Sequence, residues 1–457
     1  MWDSTTPPNW SDRARICIDF GTALSKASIC LDPTLPLEVG VKPLPIGAIS
    51  GAEHPLLTPS VLYVDGGRLY FGPIALEFAR RGVESDRDPL LSFKTVLGAG
   101  NVQEALAQKM PPSIDPTGTF KARDAVALYL AYLDQLIREA LELAPNMPPG
   151  AANARRRYTS PVWRQGGMVD HAFEAIFNEA AAISLKLGRL LLSPEGISIA
   201  QCKDALDKAA AAPGNGMLET GVFEPHAAAA ASLAFTNAPT RFVMVFDMGA
   251  GTTDIAAFEF DESIDPPMLS EIKEARQCSA LAGDEIDRIL IGLLFRKRGH
   301  GAVADQQRAI RSTRLSARDL KRDLFAQGKC ALKNGWIATT VKIADLQEDP
   351  QFRQYLQALG ETIARSLSAV TQRAESVGAD VVDVVLAGGG SHLPFLPDLV
   401  RAAAQHTRTN VRLRVGPLSP ANSLYQGVDT SLRGVFPQIA MSVGGALVEM
   451  QGRPEAA

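Results

Sequence analysis

Two stretches of the chain repeat one pattern: Ala14-Arg-Ile-Cys-Ile-Asp-Phe-Gly-Thr-Ala-Leu-Ser-Lys-Ala-Ser-Ile-Cys30 and Arg241-Phe-Val-Met-Val-Phe-Asp-Met-Gly-Ala-Gly-Thr-Thr-Asp-Ile-Ala-Ala-Phe258. Each begins with a short apolar strand that ends in an aspartate, continues through a Gly/Thr turn, and runs into a second β-prone strand. Two copies separated by half the chain predict two lobes of similar design, each opening with a hairpin.

A third strand-and-turn unit follows near the end of the sequence. The spacing of apolar residues from Phe352 to Ser376 predicts a helix, which leads into a strand at Val381 to Leu386 and then into Gly388-Gly389-Gly390. This order is typical of an α/β sheet whose strand ends carry a ligand site. The remaining predicted elements are a strand near Ser60 to Val64, helices at Lys121 to Leu143, Asp170 to Leu192, Ile199 to Ala212, Asp284 to Arg296 and Arg318 to Leu332, and a loop at Ala211 to Gly216.

The two hairpin turns have the composition of a phosphate clamp. Successive backbone N–H groups in a tight turn form a concave anion site, and glycine lets phosphate oxygens approach the backbone closely. Asp19 and Asp247 stand at matching strand ends, and Mg²⁺ usually takes one or two carboxylates together with waters and phosphate oxygens. Either turn alone would be an ordinary hairpin, but the pair favours a nucleotide. The predicted turn residues are Gly21, Thr22, Ala23, Gly249, Ala250, Gly251 and Thr252.

The composition indicates a soluble globular protein of two or more lobes. Of its 457 residues 46% are hydrophobic and 21% charged, and a net charge of −4 with a pI near 6.0 argues against a nucleic-acid partner. The basic run Arg155-Arg156-Arg157 is predicted to be a solvated loop. The five cysteines are scattered, which suits a reducing compartment. We find no signal-peptide pattern and no apolar run near 20 residues, so we expect a cytoplasmic protein without a membrane partner.

Five motifs resemble those of the actin-like ATPases. Asp19 to Ser25 and Asp247 to Asp254 resemble the two phosphate motifs, and Ala387 to Pro394 resembles the adenosine motif. Glu224 to Ala229 and Pro437 to Ala446 are similar to the two connecting motifs. All five occur in the superfamily's order. The resemblance implies a two-lobed α/β fold, made of duplicated ribonuclease-H-like domains with ATP or ADP and Mg²⁺ in the cleft between them.

Within that superfamily the sequence is most similar to the ATPase domain of DnaK-type heat-shock protein 70 chaperones. Ser92 to Gly98 resembles the segment that carries their catalytic lysine, here Lys94. Ala282 to Asp287 resembles their glycine-acid turn, and Gly328 to Leu332 resembles their nucleotide-base helix. Filament-forming relatives lack such a lysine, although Gly251 to Asp254 is equally similar to the bacterial filament proteins.

The resemblance implies a role for each matching residue. Asp19 and Asp247 would hold the hydrated Mg²⁺, and Thr22 and Thr252 would contact the terminal phosphate. Lys94 would neutralise charge on that phosphate. The other implied residues are Glu224 and Asp254 for orienting the attacking water, and Gly283, Asp284, Lys329, Gly388, Gly389, Gly390 and His392 for the nucleotide. Outside this context Lys94 would be an ordinary surface lysine, and Glu224 before Pro225 could merely cap a helix.

Several features depart from the chaperone pattern. Ala326 stands where a glutamate is usual, and His392 replaces an arginine that stacks on the base, so we expect relaxed adenine preference. The segment from Pro161 to Glu224 is long, which predicts a helical insertion near 166–220. Because few residues follow Ala446, we expect no peptide-binding domain.

These observations predict lobe I over 14–240, lobe II over 241–435 with a helical subdomain near 284–345, and a C-terminal segment, 436–457, that packs back on lobe I. We expect an ATPase that hydrolyses slowly and signals its nucleotide state to a protein partner. A filament-forming actin-like ATPase is the main alternative, so the sequence leaves monomer and filament both open. A nucleotide-binding scaffold without turnover and a small-molecule kinase on the same fold are further alternatives.

Overall fold

The computed structural model describes residues 13–32, 40–82, 87–145, 147–160, 167–210, 218–219, 221–235, 240–263, 268–298, 303–334, 337–407, 409–420 and 431–447. Within these ranges no helix combines the length and the apolar character needed to cross a membrane. The predicted loop at 211–216 lies outside the described residues.

The strands, in chain order, are β1 (Arg15–Asp19), β2 (Leu24–Cys30), β3 (Val41–Pro43), β4 (Thr58–Pro59), β5 (Val61–Asp65), β6 (Arg68–Phe71), β7 (Leu90–Leu91), β8 (Arg155–Ser160), β9 (Ile197–Ser198), β10 (Val222–Phe223), β11 (Phe242–Met248), β12 (Thr253–Asp261), β13 (Met268–Glu271), β14 (Gln277–Ser279), β15 (Lys329–Asn334), β16 (Ile337–Lys342), β17 (Val381–Ala387) and β18 (Arg412–Pro417).

The α-helices, in chain order, are α1 (Ile46–Ser50), α2 (Gly72–Arg81), α3 (Val102–Ala107), α4 (Ala122–Leu143), α5 (Gly167–Leu187), α6 (Ile199–Ala210), α7 (Glu224–Ala234), α8 (Gly283–Arg298), α9 (Val303–Gln327), α10 (Ile343–Glu348), α11 (Pro350–Ser376), α12 (Leu396–Ala404) and α13 (Ser431–Ala446). The 3₁₀ helices are Phe93–Gly98, Ala151–Asn153, Gly188–Leu192, Lys273–Ala275 and Gly389–His392.

Two large sheets have the same plan. In the first, the order is β10-β8-β1-β2-β3, with β4 also on β2; in the second it is β13-β12-β11-β17-β18, with β14 also on β12. In each sheet an antiparallel hairpin, β1–β2 or β11–β12, is extended by a parallel strand on its first member. The repeat seen in the sequence therefore corresponds to two sheets with the same strand arrangement. The two-lobed α/β fold class is confirmed.

Helix starts follow from local capping. Asp349 precedes α11, and its carboxylate accepts hydrogen bonds from the backbone of Gln351 at 2.9 Å and of Phe352 at 3.3 Å. Pro350 at the first helical position has no N–H that would need a partner. At α4, the carboxylate of Asp124 accepts from the backbone N–H of Lys121 at 2.8 Å. These contacts fix where the long helices begin, and their apolar faces then cover the sheets.

A third core joins the two sheets. It contains Ala228 to Ala231 of α7, Val243 and Val245 of β11, and Phe436 of α13, all fully or nearly fully buried. Gly444 of α13 lies so close to the Ala227 carbonyl that a Cβ there would overlap it. Since α7 also follows β10 of the first sheet directly, α7 and α13 connect the two halves of the molecule.

The predicted solvated loop at Arg155-Arg156-Arg157 is wrong. These residues form the start of β8, beside β1, and Arg156 and Arg157 are 5% and 8% exposed. Each meets a carboxylate, because Arg156 Nε lies 3.0 Å from Asp134 Oδ1 and Arg157 Nη2 lies 3.2 Å from Glu219 Oε2. Buried arginines are tolerated only when they are paired in this way.

The predicted helix from Arg318 to Leu332 is wrong at both ends. The helix, α9, begins at Val303 and ends at Gln327, and Gly328 follows with a left-handed φ of 74°. Such a conformation favours glycine after a helix. Gly328 to Leu332 is therefore not a helical segment, since Lys329 begins β15, which pairs with β16.

Candidate functional site

A cleft of about 2000 Å³ lies between the two hairpin turns. It receives residues from both sheets, from α8 and α9, and from the glycine turn after β17. Most of the residues predicted to form the site line it: Asp19, Gly21, Thr22, Ala23, Lys94, Glu224, Asp247, Gly249, Ala250, Gly251, Thr252, Gly283, Asp284, Gly388, Gly389, Gly390 and His392.

Two predicted site residues do not line this cleft. Lys329 lies on β15, opposite Lys342 of β16, because the segment is a strand and not the predicted helix. Asp254 lies on β12 behind the second turn, 2% exposed, and accepts a hydrogen bond from the Thr252 hydroxyl at 2.9 Å. Asp254 therefore contacts the turn through the Thr252 hydroxyl.

The two turns face each other at close range. A Cβ placed on Gly251 would lie 3.2 Å from the methyl carbon of Thr22 and 3.4 Å from that of Thr95. Gly21 allows its own tight turn, since a Cβ there would overlap the Leu24 carbonyl oxygen. Small residues at both turns leave backbone N–H groups accessible from the cleft, which is the arrangement that phosphate oxygens need.

The second turn is held by the start of α8. The backbone N–H of Asp284 donates to the Ala250 carbonyl at 2.8 Å, and that of Gly283 donates to the Gly249 carbonyl at 3.2 Å. Within the turn, Gly249 donates to the Thr252 carbonyl at 2.9 Å. The carbonyls of Gly249, Ala250 and Thr252 are therefore occupied by backbone donors of the protein.

Asp247 carries a carboxylate oxygen that lacks a partner. It is 5% exposed, and its Oδ1 has no hydrogen bond within the described part of the chain. Burial raises the pKa of Asp247 well above its ordinary value, and the nearby carboxylates of Glu224, Asp254 and Asp19 raise it further. Gly388 is required beside it, because a Cβ on Gly388 would overlap Oδ1.

A hydrated Mg²⁺ fits this environment. A cation near Asp247 would satisfy the unpartnered oxygen and offset the mutual repulsion of the carboxylates. Among the described residues no three acidic, histidine or cysteine side chains cluster closely enough to bind a metal by themselves. Magnesium commonly binds through only one or two carboxylates with waters and phosphates, so Asp19 and Asp247 are a sufficient protein contribution.

Lys94 and Glu224 form a buried ion pair in the cleft. Lys94 Nζ lies 2.5 Å from Glu224 Oε1, and the two residues are 6% and 7% exposed. Burial lowers the pKa of Lys94, but the carboxylates of Glu224 and Asp19 outweigh it and leave the pKa above its ordinary value. Lys94 is therefore a fixed positive charge. Burial raises the pKa of Glu224, against the opposing effect of Lys94.

The glycine turn after β17 and the end of α9 line the part of the cleft where the family resemblance implies the base. Phe325 and Ala326 of α9 line it opposite His392, whose pKa is lowered by burial. Phe325 is supported from behind by Phe395, with ring centroids 5.9 Å apart. The side chains of Phe325 and Ala326 offer no hydrogen bond to a base.

The cleft also contains functional candidates that the sequence did not reveal. Lys26 of β2 donates to Asp19 at 2.8 Å, directly across the first hairpin. On α9, Lys321 donates to the Gly283 carbonyl at 2.8 Å and lies 2.9 Å from Asp287. Arg318, one turn earlier, lies 3.5 Å from the Ala23 carbonyl. The signal was the spacing of Arg314, Arg318, Lys321 and Arg322, which places cations on neighbouring positions of one helix face.

A repeated hairpin sheet, a cleft between the repeats and glycine turns at the strand ends define a two-lobed nucleotide-binding domain of the actin-like ATPase fold.

Comparison with known proteins finds similarity to one family. Residues 215–411 match the family model described as Hsp70 protein. The chain is similar to a chaperone protein HscA homolog of Burkholderia ambifaria, with 26% identity over 177 residues, which are 39% of this chain and 27% of that protein. It is also similar to a heat shock 70 kDa protein of Trichophyton rubrum, with 23% identity over 163 residues, which are 35% of this chain and 24% of that protein. The matched part thus spans about a quarter of each relative's length. These similarities support an Hsp70-family nucleotide-binding domain in this chain.

Proposed function

We propose that this protein binds ATP with Mg²⁺ in the cleft, hydrolyses it slowly, and signals its nucleotide state to a partner protein through a movement of the lobes. The observation that carries the proposal is the placement of Asp247, with an unpartnered carboxylate oxygen, beside two facing glycine turns. Hsp70-family similarity supports the choice of ATP.

Different residues of the cleft bind the phosphates and the metal during phosphoryl transfer. Backbone N–H groups of the turns Gly21 to Ala23 and Ala250 to Thr252 bind the phosphates, since the Gly249 N–H already donates to the Thr252 carbonyl. Asp19 and Asp247 orient a hydrated Mg²⁺, which when bound neutralises phosphate charge. Hydrolysis forms a bond from water oxygen to the terminal phosphorus and breaks that phosphorus's bond to the bridging oxygen of ADP. Such reactions depend mainly on positioning and charge stabilisation.

Lys94 and Glu224 have complementary roles in this step. The Lys94 ammonium is held by Glu224 at 2.5 Å and is available to the terminal phosphate, where negative charge redistributes during transfer. Glu224 keeps a second carboxylate oxygen for the attacking water. Thr22 and Thr252 face the phosphates, and Asp254 acts indirectly by holding the Thr252 hydroxyl at 2.9 Å.

The proposed division into lobes follows the two large sheets. Lobe I comprises 14–240 together with 436–457 and carries the helical insertion near 166–220; lobe II comprises 241–435 with its helical subdomain near 284–345. Direct links across the cleft include the Ser92 hydroxyl, 3.2 Å from Asp284, and Arg311, 2.7 Å from Asp88. Arg80 and Arg322 form further ion pairs across the cleft, with Asp319 and Glu53, and Leu315 of α9 packs against the apolar cluster of β5, β6 and α2. Because most of these contacts are polar, a ligand that binds both turns can shift the closure of the lobes and be sensed by a partner.

Binding and turnover are tested separately. Calorimetric titration of the full chain with ATP and ADP, with and without Mg²⁺, should show binding that Mg²⁺ strengthens. A single-turnover phosphate-release assay should then show slow hydrolysis. Absence of nucleotide binding would contradict the whole proposal, whereas binding without phosphate release would contradict only the catalytic part. Small-angle scattering of the ATP-bound and ADP-bound forms should differ if the lobes move.

A further inference from the structure

Lys26 places a buried positive charge at the first glycine turn. It lies on β2, directly opposite Asp19 in the antiparallel register with β1, and its Nζ donates to Asp19 Oδ2 at 2.8 Å. The same Nζ lies beside Gly21, since a Cβ placed on Gly21 would be 3.3 Å from it. The Lys26 side chain is 11% exposed and lines the cleft. The register of one hairpin therefore fixes an ammonium group at the turn that is proposed to bind phosphate.

The Lys26 ammonium has hydrogen-bonding capacity left for a ligand. An ammonium carries three N–H donors. Among the described residues, the one acceptor that Lys26 meets is Asp19 Oδ2. The other donors are therefore available to an anion that enters the cleft beside Gly21.

The charges around the two turns leave a role for this group. Asp19, Glu224 and Asp247 all line the cleft here. Lys94 pairs with Glu224 and Lys26 pairs with Asp19, so one of the two aspartates proposed to hold Mg²⁺ is already neutralised by a cation of the chain itself. Nucleotide phosphates bring further negative charge, and the backbone N–H groups of the turns have no net charge to balance it.

The positive charge of Lys26 also acts on the second turn. Burial raises the pKa of Asp247 and the neighbouring carboxylates raise it further, whereas the Lys26 ammonium opposes this rise. Lys26 therefore lies close enough to both aspartates to offset negative charge between the turns, which is also what a bound Mg²⁺ would do.

We propose that Lys26 binds a phosphate oxygen of the nucleotide directly while it stays paired with Asp19, and that the cleft therefore keeps measurable affinity for ADP when no divalent cation is present. A lysine ammonium binds phosphate as a compact point charge. The inference rests on the proposed nucleotide function and names a further phosphate-binding residue of the same site. The contact is a hydrogen bond between an ammonium and a phosphate oxygen, so no covalent bond forms or breaks.

The competing explanation is that Lys26 only neutralises Asp19. Lys26→Gln alone does not separate the two, because it leaves an unpaired carboxylate that repels phosphate and destabilises the fold. The double variant Lys26→Gln/Asp19→Asn does separate them, because the net charge is unchanged and two amides can keep a hydrogen bond. Loss of the Asp19 charge by itself favours phosphate binding, so a fall in affinity reports the loss of Lys26.

Calorimetry on the full chain in excess EDTA measures the effect with two probes, ADP and adenosine. The wild type should bind ADP at least about tenfold more tightly than adenosine, which has no phosphate. The double variant should bind ADP about tenfold or more weakly than the wild type, as expected for the loss of one hydrogen bond between charged groups. Its affinity for adenosine should change by less than about threefold.

Lys208→Gln/Asp204→Asn is the matched control. Lys208 and Asp204 form an ion pair of the same kind, 2.9 Å apart, on the exposed helix α6 and away from the residues that line the cleft. Removing this pair should leave the affinity for ADP in EDTA at the wild-type value. A cooperative melting transition of each variant is established first.

The inference is overturned if the Lys26→Gln/Asp19→Asn protein binds ADP in EDTA as tightly as the wild type, or if its affinities for ADP and adenosine fall equally. It is also overturned, without any variant, if the wild type in EDTA binds ADP no more tightly than adenosine. In each case, ADP binding by the wild type in the presence of Mg²⁺ would leave the proposed nucleotide function standing. A wild type that binds no ADP with or without Mg²⁺ would contradict both.

Discussion

Lys94 and Glu224, which are 130 positions apart in the sequence, meet in the cleft with Nζ 2.5 Å from Oε1. The 3₁₀ helix that carries Lys94 follows Ser92, which adopts a left-handed φ of 52°, an uncommon conformation for a residue other than glycine. Glu224 is the first residue of α7, where the helix N-terminus favours a negative charge. Both features support the proposed catalytic role of the pair.

If Asp247 holds Mg²⁺, Asp247→Asn should weaken the Mg²⁺-dependent binding of ATP. The substitution keeps the shape of the side chain but removes a charge from a position where Oδ1 is buried and unpartnered. Affinity for ATP in the presence of Mg²⁺ should fall by about tenfold or more, whereas affinity without Mg²⁺ should change little. Calorimetry with and without Mg²⁺ measures both. Equal affinities for variant and wild type in both conditions would remove Asp247 from the metal site.

The base end predicts weak discrimination between ATP and GTP. A site that hydrogen-bonds its ligand rejects the wrong one by about 10⁴-fold, but a largely apolar site does not. With Phe325 and Ala326 in the lining and a His392 of lowered pKa, ATP should be preferred by less than about 100-fold. Competition binding of the two nucleotides tests this. A much stronger preference for ATP would show that backbone groups or other side chains recognise the base.

The buried pair of Arg156 and Asp134 predicts a large loss of stability in Arg156→Ala. Removing one partner of a buried ion pair costs about 3–5 kcal/mol, and Arg138, which also contacts Asp134, should reduce this toward about 3 kcal/mol. Arg155→Ala is the matched control, because Arg155 is largely exposed and lies 3.4 Å from Glu219. Its free energy of unfolding should change by less than about 0.5 kcal/mol. Chemical denaturation of both variants supplies the comparison, and equal losses would contradict the buried pairing.

The same pair predicts a pH dependence. Burial acts to raise the pKa of Asp134, but Arg156 and Arg138 outweigh it and hold the pKa below its ordinary value of 3.8. Because the folded-state pKa is the lower one, the stabilisation is fully present above the ordinary value and is lost as pH falls through the folded-state pKa. In Asp134→Asn, the free energy of unfolding should therefore fall less steeply as the pH is lowered in the acid range. An unchanged dependence on pH would mean that other carboxylates dominate acid unfolding.

The two hairpins could be predicted because the residues that form each of them are consecutive in the sequence. A short apolar strand, an aspartate and a glycine turn occupy consecutive residues, so Asp19 and Asp247 could be placed at strand ends from the sequence alone. The Arg155–Arg157 run was mispredicted because its partners, Asp134 and Glu219, lie far from it in the sequence. The first half of α9 was missed because polar residues dominate it, and its cations face a cleft formed by distant elements.

Site residues that depend on facing surfaces were also missed. Lys26 is separated from Asp19 by seven residues, and only the antiparallel register of β1 and β2 brings the two side chains to 2.8 Å. Lys329 was assigned to the base because its segment was predicted to be helical. The left-handed Gly328 ends the helix before it, and Lys329 enters a separate hairpin.

The most direct test is single-turnover hydrolysis of ATP by Lys94→Ala. The Lys94 charge acts more strongly as negative charge redistributes in the transition state than in the ground state, and only such differential interactions change turnover. The rate should fall by about 10²-fold or more, as on removal of one preorganised electrostatic contact. Glu224→Ala should behave similarly, and ATP affinity should change much less because both turns and the metal site remain.

The variant must first be shown to fold, because Lys94 neutralises Glu224 in a buried environment. A cooperative melting transition and retained ATP binding establish this, and Lys94→Gln, which keeps a hydrogen-bond donor, provides a second variant if the first is unstable. A folded, ATP-binding Lys94→Ala protein that hydrolyses ATP about 10²-fold more slowly is the predicted result. The same protein hydrolysing ATP at the wild-type rate would contradict the catalytic role of the Lys94–Glu224 pair.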